Sequence, residues 1–144
     1  MTRLLRIIFI AGLIAMLNAE VSAESTAQTE TSTADSSFVK KRYNIKGTWN
    51  VSEEDGQSQI SFNGDFKTKG GPDLKLYLSS KSIAELKSGD VEATSLKLGV
   101  LKSNKGAQSY IIPSDINLSE YKSVVIHCEA FSVLWGGFDI ATTP

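Results

Sequence analysis

Cys128 is the only cysteine of the 144-residue chain, and His127 beside it is the only histidine. Thiolates and imidazoles serve as nucleophiles, redox groups and metal ligands, so this pair is where chemistry is sought first. The pair lies in the most hydrophobic late segment, Ser123-Val-Val-Ile-His-Cys-Glu-Ala-Phe-Ser-Val-Leu-Trp135. Val124, Val125 and Ile126 form a run apolar on both faces, the mark of a central, covered strand. In an extended strand, neighbouring side chains point to opposite faces. Cys128 then shares a face with Val124 and Ile126, while His127 shares the other with Val125 and Glu129. A Cys-His nucleophile needs the imidazole within reach of the sulfur, and alternation aims the two apart. Asp139, Asp115 and Glu129 are the carboxylates available to orient the ring. A zinc or copper site needs further soft or imidazole ligands. Both methionines, Met1 and Met16, lie near the N-terminus, so no metal site of this chain's own is expected. A single cysteine closes no intramolecular disulfide, and no Cys-x-x-Cys-His motif offers covalent haem attachment.

Three roles for Cys128 stay open. It is a buried apolar side chain, since free cysteine is among the most buried residue types. It is a reactive thiol, oxidised reversibly or paired with a partner's thiol, which demands partial exposure. Or Cys128 or His127 ligates a haem axially, in an apolar slot lined by Phe131, Trp135 and Phe138. Those aromatics are more simply read as core. Two other motifs carry less. Glu53-Glu54-Asp55 reads as a solvated hairpin turn, because no EF-hand spacing follows it. Gly70-Gly71-Pro72-Asp73 lacks the Gly-Lys-Ser/Thr ending of a phosphate loop and reads as a turn whose Asp73 bonds its own backbone.

The elements that must hold these groups begin after an export signal. Arg3 and Arg6 form a positive region, Leu4, Leu5 and Ile7 to Leu17 form an apolar one, and Val21-Ser22-Ala23 fits the small-residue cleavage pattern. Leu17-Asn18-Ala19 is the alternative cleavage site, and an uncleaved anchor is the alternative to cleavage. No cysteine follows the apolar run to carry a lipid. Residues 1–23 are read as a signal peptide, which places the rest of the chain in the periplasm or outside the cell. Residues 24–37 are Ser/Thr-rich, without aromatic or branched aliphatic side chains, and read as a disordered linker. Removal of residues 1–23 takes away Arg3, Arg6 and Glu20. That reduces 15 basic and 16 acidic residues to 13 and 15, a net charge of −2. Such a balance excludes nucleic acid as an expected partner, and Lys40-Lys41-Arg42 is too narrow a basic footprint to alter that. The membrane is reached only through an uncleaved signal segment.

Residues 38–144 read as one β domain. Asp55-Gly56 and Asn63-Gly64 are hairpin signals, and Ile60 and Phe62 alternate with polar neighbours. Leu74, Leu76 and Leu78 alternate with Lys75, Tyr77 and Ser79, predicting a strand with one apolar face. Ser82 to Ser88 suggests one helical turn, with Gly89 as its C-cap. Leu96 to Val100 and Ser109 to Ile112 predict further strands. Phe131, Val133 and Trp135 alternate into a last one, which Gly136-Gly137 would bend. About eight short strands with Gly-rich turns predict an all-β antiparallel sandwich or small barrel, with little helix.

Phe66 to Leu78, with Gly71-Pro72-Asp73-Leu74 and Leu76-Tyr77-Leu78, resembles a block of the DM13 domain family. Leu98-Gly99-Val100-Leu101-Lys102, Gly106 to Pro113 and Tyr121 to Gly136 are similar to its remaining blocks, in the same order. The resemblance spans Phe38 to Ile140. It implies an exported electron-transfer module, often found beside DOMON or cytochrome-type domains, with a characteristic cysteine that falls on Cys128. It also admits a haem cofactor and a redox or envelope protein as partner. The residue before that cysteine is often aromatic in the family, and here it is His127. Two functions follow for test: a non-enzymatic redox module using Cys128, with His127 as neighbour or ligand, and a β-sandwich binding or structural module with Cys128 as core. No catalytic constellation points to an enzyme.

Overall fold

A computed structural model describes residues 37–140; the signal peptide expected over residues 1–23 and all but the last residue of the expected linker lie outside them. Among the described residues, ten strands form three sheets in which every pairing is antiparallel. The largest sheet has the order β1-β10-β9-β6-β7, built from Val39–Lys40, Val133–Asp139, Ser123–Cys128, Leu74–Ser79 and Ser95–Val100. A second sheet has the order β3-β4-β8, from Trp49–Glu54, Gln57–Phe62 and Gln108–Ile111. The pair β2-β5, Ile45–Lys46 with Lys67–Thr68, completes the fold. The architecture is all-β and sandwich-like.

Local chemistry explains the hairpin that starts the second sheet. Glu54 pairs with Gln57, leaving Asp55-Gly56 as a two-residue loop with φ of 51° and 74°. Two positive φ values define the turn whose twist matches antiparallel strands, and Asp-Gly is the pair that tolerates it. Cross-strand pairing then sets Trp49 opposite Phe62 and Val51 opposite Ile60.

The main core lies where the sheets face each other. Leu74, Leu76, Leu78, Val124, Ile126, Cys128 and Phe138 pack with Trp49, Ile60, Phe62, Tyr110 and Ile112. A smaller apolar cluster covers the other face of the five-stranded sheet. There Tyr77, Val125 and Leu134 meet Ile83, Leu86 and Val91. All six residues of β9 are buried, as a run apolar on both faces requires of a central strand.

One local expectation is corrected and two are sharpened. β6 does not have one apolar face, because Tyr77 and Ser79 are buried too. The segment joining β6 to β7 folds back over them, a tertiary contact that alternation within β6 does not encode. The single helical turn expected within Ser82 to Ser88 is present, and only its cap is corrected. Leu86 N donates to Ser82 O to close a single turn, and a 3-10 turn at Ser88–Asp90 leads into α1, Val91–Thr94. Gly89 therefore lies inside the helical stretch. The spacing of Ile83 and Leu86 reports their shared burial in the smaller cluster. Gly136-Gly137 lies within β10, which runs through it. Pairing with β9 slips one position between Leu134 and Gly136, so the irregularity is a bulge. A Cβ on Gly137 would sit 2.2 Å from Val124 O; glycine is needed there for close backbone approach.

Candidate functional site

β9 carries Cys128 at its last position, between Leu74 of β6 and Val133 of β10. The thiol is free, and the residue has 0% exposure within the main apolar core.

His127 occupies the opposite face, paired with Lys75 and Leu134. It too has 0% exposure. Its Nε2 lies 3.0 Å from Glu92 Oε1, and its Nδ1 has no hydrogen-bond partner. None of the three carboxylates considered from the sequence orients the ring. Asp139 Oδ1 instead accepts from Ile83 N at 2.6 Å. Asp115 has no contact with it, and Glu129 serves Tyr77 and Lys97. The partner is Glu92, 35 residues away on α1, and its Oε1 also accepts from Ser132 Oγ at 3.3 Å. Sequence distance hid this pair. Its only local signal is that Glu92 follows Val91, the residue that anchors α1 in the smaller cluster.

A polar network continues along this outer face. The Tyr77 hydroxyl donates to Glu129 Oε1, and Lys97 Nζ lies 2.6 Å from the same oxygen. The Tyr77 ring stands edge-on to His127, with centroids 6.0 Å apart and planes at 88°. Asp73 is taken by Lys75 Nζ at 2.5 Å, correcting the expected bond to its own backbone. The Lys97 ammonium, and then the Tyr77 hydroxyl, hold the Glu129 carboxyl below the usual carboxylate range. Burial, and then the bond to anionic Glu129, push the Tyr77 phenol above its ordinary value of 10.0. The bond of Asp73 likewise raises Lys75. Tyr77 looked like the polar side of a strand in the sequence, and only the bond to Glu129 makes its burial tolerable.

A pH dependence follows. The folded state keeps Tyr77 protonated more tightly than the unfolded chain does. The associated stability is complete below pH 10.0, the ordinary phenol value, and is lost as pH rises toward the higher folded value. In a spectrophotometric titration, the buried phenols of Tyr77 and Tyr110 are expected to ionise late, and Tyr77→Phe should remove the Tyr77 share of that late step. Normal titration of every tyrosine in the folded chain would contradict it.

The aromatic residues considered for a haem slot do not form one. Phe131 is not in a strand but in the 3-10 turn Glu129–Phe131, 68% exposed. Trp135 lies against Tyr43 with centroids 4.0 Å apart, and its Nε1 donates to Lys69 O at 3.0 Å. Phe138 stacks on Trp49 at 3.8 Å and 14°. The Phe131 ring thus stands in solvent, those of Trp135 and Phe138 pack against other aromatic rings, and Cys128 and His127 point to opposite sides of the sheet. These residues do not fit a haem. Among the described residues, no group of three or more His, Cys, Asp or Glu side chains is placed to hold a metal ion. Glu54 and Asp55 of the acidic turn line an open polar depression with Ser52, Gln57 and Gln59. Among the described residues, no helix is long and apolar enough to cross a membrane.

No curated protein and no solved structure matches the chain. A family model does, over residues 37–140, which is the whole of the described domain with its central β9 and Cys128. That model is described as electron transfer DM13, and the chain belongs to this family.

Proposed function

We propose that the chain is an exported, non-enzymatic electron-transfer module of the cell envelope that works with a redox partner protein and uses Cys128 as its redox-active thiol. The observation that carries this reading is the match of residues 37–140 to the electron-transfer family. Export is supported by Arg3, Arg6, the apolar region and the Val21-Ser22-Ala23 site. Burial sets the terms on which the thiol acts. It must be uncovered by local opening of the fold, after which hydrogen peroxide oxidises the thiol to sulfenic acid and is itself reduced to water.

The same burial favours a second reading, in which Cys128 is a core residue of a sandwich module without redox work. One experiment separates them. The folded protein is treated with hydrogen peroxide, and Cys128 is followed by mass spectrometry before and after dithiothreitol. Gain of one oxygen at Cys128, reversed by the dithiol, supports the redox reading. A Cys128 that survives peroxide unchanged, with electron exchange intact in Cys128→Ala, sinks it and leaves the sulfur as core.

A further inference from the structure

We infer that Tyr77 is a redox group of this domain in its own right: it surrenders one electron to a strong one-electron oxidant while its phenolic proton passes to Glu129. The inference deepens the electron-transfer reading and makes no use of the thiol.

Three observations on the outer face of the five-stranded sheet carry it. First, Tyr77 is only 2% exposed, so a radical on its ring is shielded from solvent and from coupling with a second molecule. Second, its hydroxyl donates to a carboxylate, Glu129 Oε1. The contrast with Tyr110 is direct. That hydroxyl donates to the neutral amide oxygen of Gln108 at 2.7 Å, which is a poor proton acceptor. Third, Lys97 Nζ at 2.6 Å keeps Glu129 ionised and therefore ready to accept. The ammonium also weakens the carboxylate as a base. That does not block the step, because a phenol that has lost an electron is a far stronger acid than a carboxylic acid.

The step balances. The Tyr77 O–H bond breaks and an O–H bond to Glu129 forms. One electron leaves the ring for the oxidant, which is reduced by one. Tyr77 becomes a neutral phenoxyl radical beside a neutral Glu129, and the Lys97 charge remains. Re-reduction returns the proton across the same hydrogen bond. Glu129 is 20% exposed at its side chain and Lys97 50%, so the acceptor end of the pair reaches the surface while the ring does not. An electron partner docking there meets the network at Glu129 and Lys97.

The test uses the full chain and photogenerated tris(bipyridine)ruthenium(III) as oxidant, with the radical read by electron paramagnetic resonance and transient absorption. A neutral tyrosyl radical is expected in the wild type and in Cys128→Ala, and its loss is expected in Tyr77→Phe. Removing the proton acceptor in Glu129→Gln should slow radical formation by about a hundredfold. The wild-type rate should fall as acid protonates Glu129, and the Glu129→Gln profile should be flat there. Heavy water should slow the wild type, a readout that needs no variant to fold. An unchanged radical in Tyr77→Phe, an unchanged rate in Glu129→Gln, or no solvent isotope effect overturns the inference. Failure of peroxide to oxidise Cys128 would end the thiol reading and leave this one standing. A missing Tyr77 radical with reversible Cys128 oxidation would do the reverse.

Discussion

Cys128 is expected to react with a bulky aromatic disulfide at least about a thousandfold more slowly in the folded chain than in the urea-unfolded chain. The residue has no exposure, so the reagent meets the sulfur only after the structure opens. Opening free energies run from near zero at fraying ends up to the global stability, about 5–15 kcal/mol. Cys128 ends its strand but does not fray. Its backbone neighbour Glu129 N donates to Asp73 O at 3.0 Å, and Ser132 N closes the following turn on Glu129 O at 3.2 Å. The Glu129 side chain is held by Tyr77 and Lys97 as well. Breaking these contacts together should cost about 4 kcal/mol, which corresponds to a thousandfold drop in the open population. Stopped-flow labelling with and without urea measures the ratio. Rates within tenfold of each other would mean that the end of β9 is open, and a thiol reached without unfolding would then be a displayed redox group. Glu129→Ala, which removes two of the contacts, should raise the folded-state rate.

The parts of this fold legible in the sequence are those set by one or two neighbouring residues. Asp55-Gly56 specifies its turn through the φ values those residue types accept. Val124 to Ile126 announce a covered strand because no polar side chain interrupts them. From that strand, alternation alone separates Cys128 from His127. What escaped reading depends on partners far along the chain. Tyr77 and Ser123 look solvent-facing by type, yet both are buried, because Glu129 takes the Tyr77 hydroxyl and Lys81 O accepts from Ser123 Oγ at 2.7 Å. A satisfied hydroxyl can face a core, and pattern does not reveal which hydroxyls are satisfied. The partner of His127 was hidden for the same reason. Gly136-Gly137 carries both meanings glycine can have in a strand: a bulge beside Gly136 and the backbone of Val124 against Gly137. Phe131 extended an alternating pattern that began only at Val133, because a 3-10 turn interposes and leaves its ring in solvent.

Phe138→Ala is expected to destabilise the domain by about 3–5 kcal/mol, much of the total stability of a domain this size. The ring is 1% exposed. It stacks on Trp49, stands edge-on to Phe38 at 5.3 Å and to Phe62 at 6.2 Å, and so joins β10 of one sheet to β3 and β4 of the other. Trp49 and Phe62 are themselves cross-strand partners. Their hairpin is held in register by six backbone pairs and cannot move freely to fill the space an alanine would leave. The loss should therefore include a cavity contribution beyond the transfer of the ring itself. Phe131→Ala supplies the contrast. Its ring is exposed on a turn, so the change should stay within about 0.5 kcal/mol. Urea unfolding at constant slope measures both differences. A slot shared by the two rings around a bound group would make them respond alike on its removal and leave Phe138→Ala mild in its absence. A large cost at Phe138 beside a negligible one at Phe131 instead identifies Phe138 as the joint between the sheets.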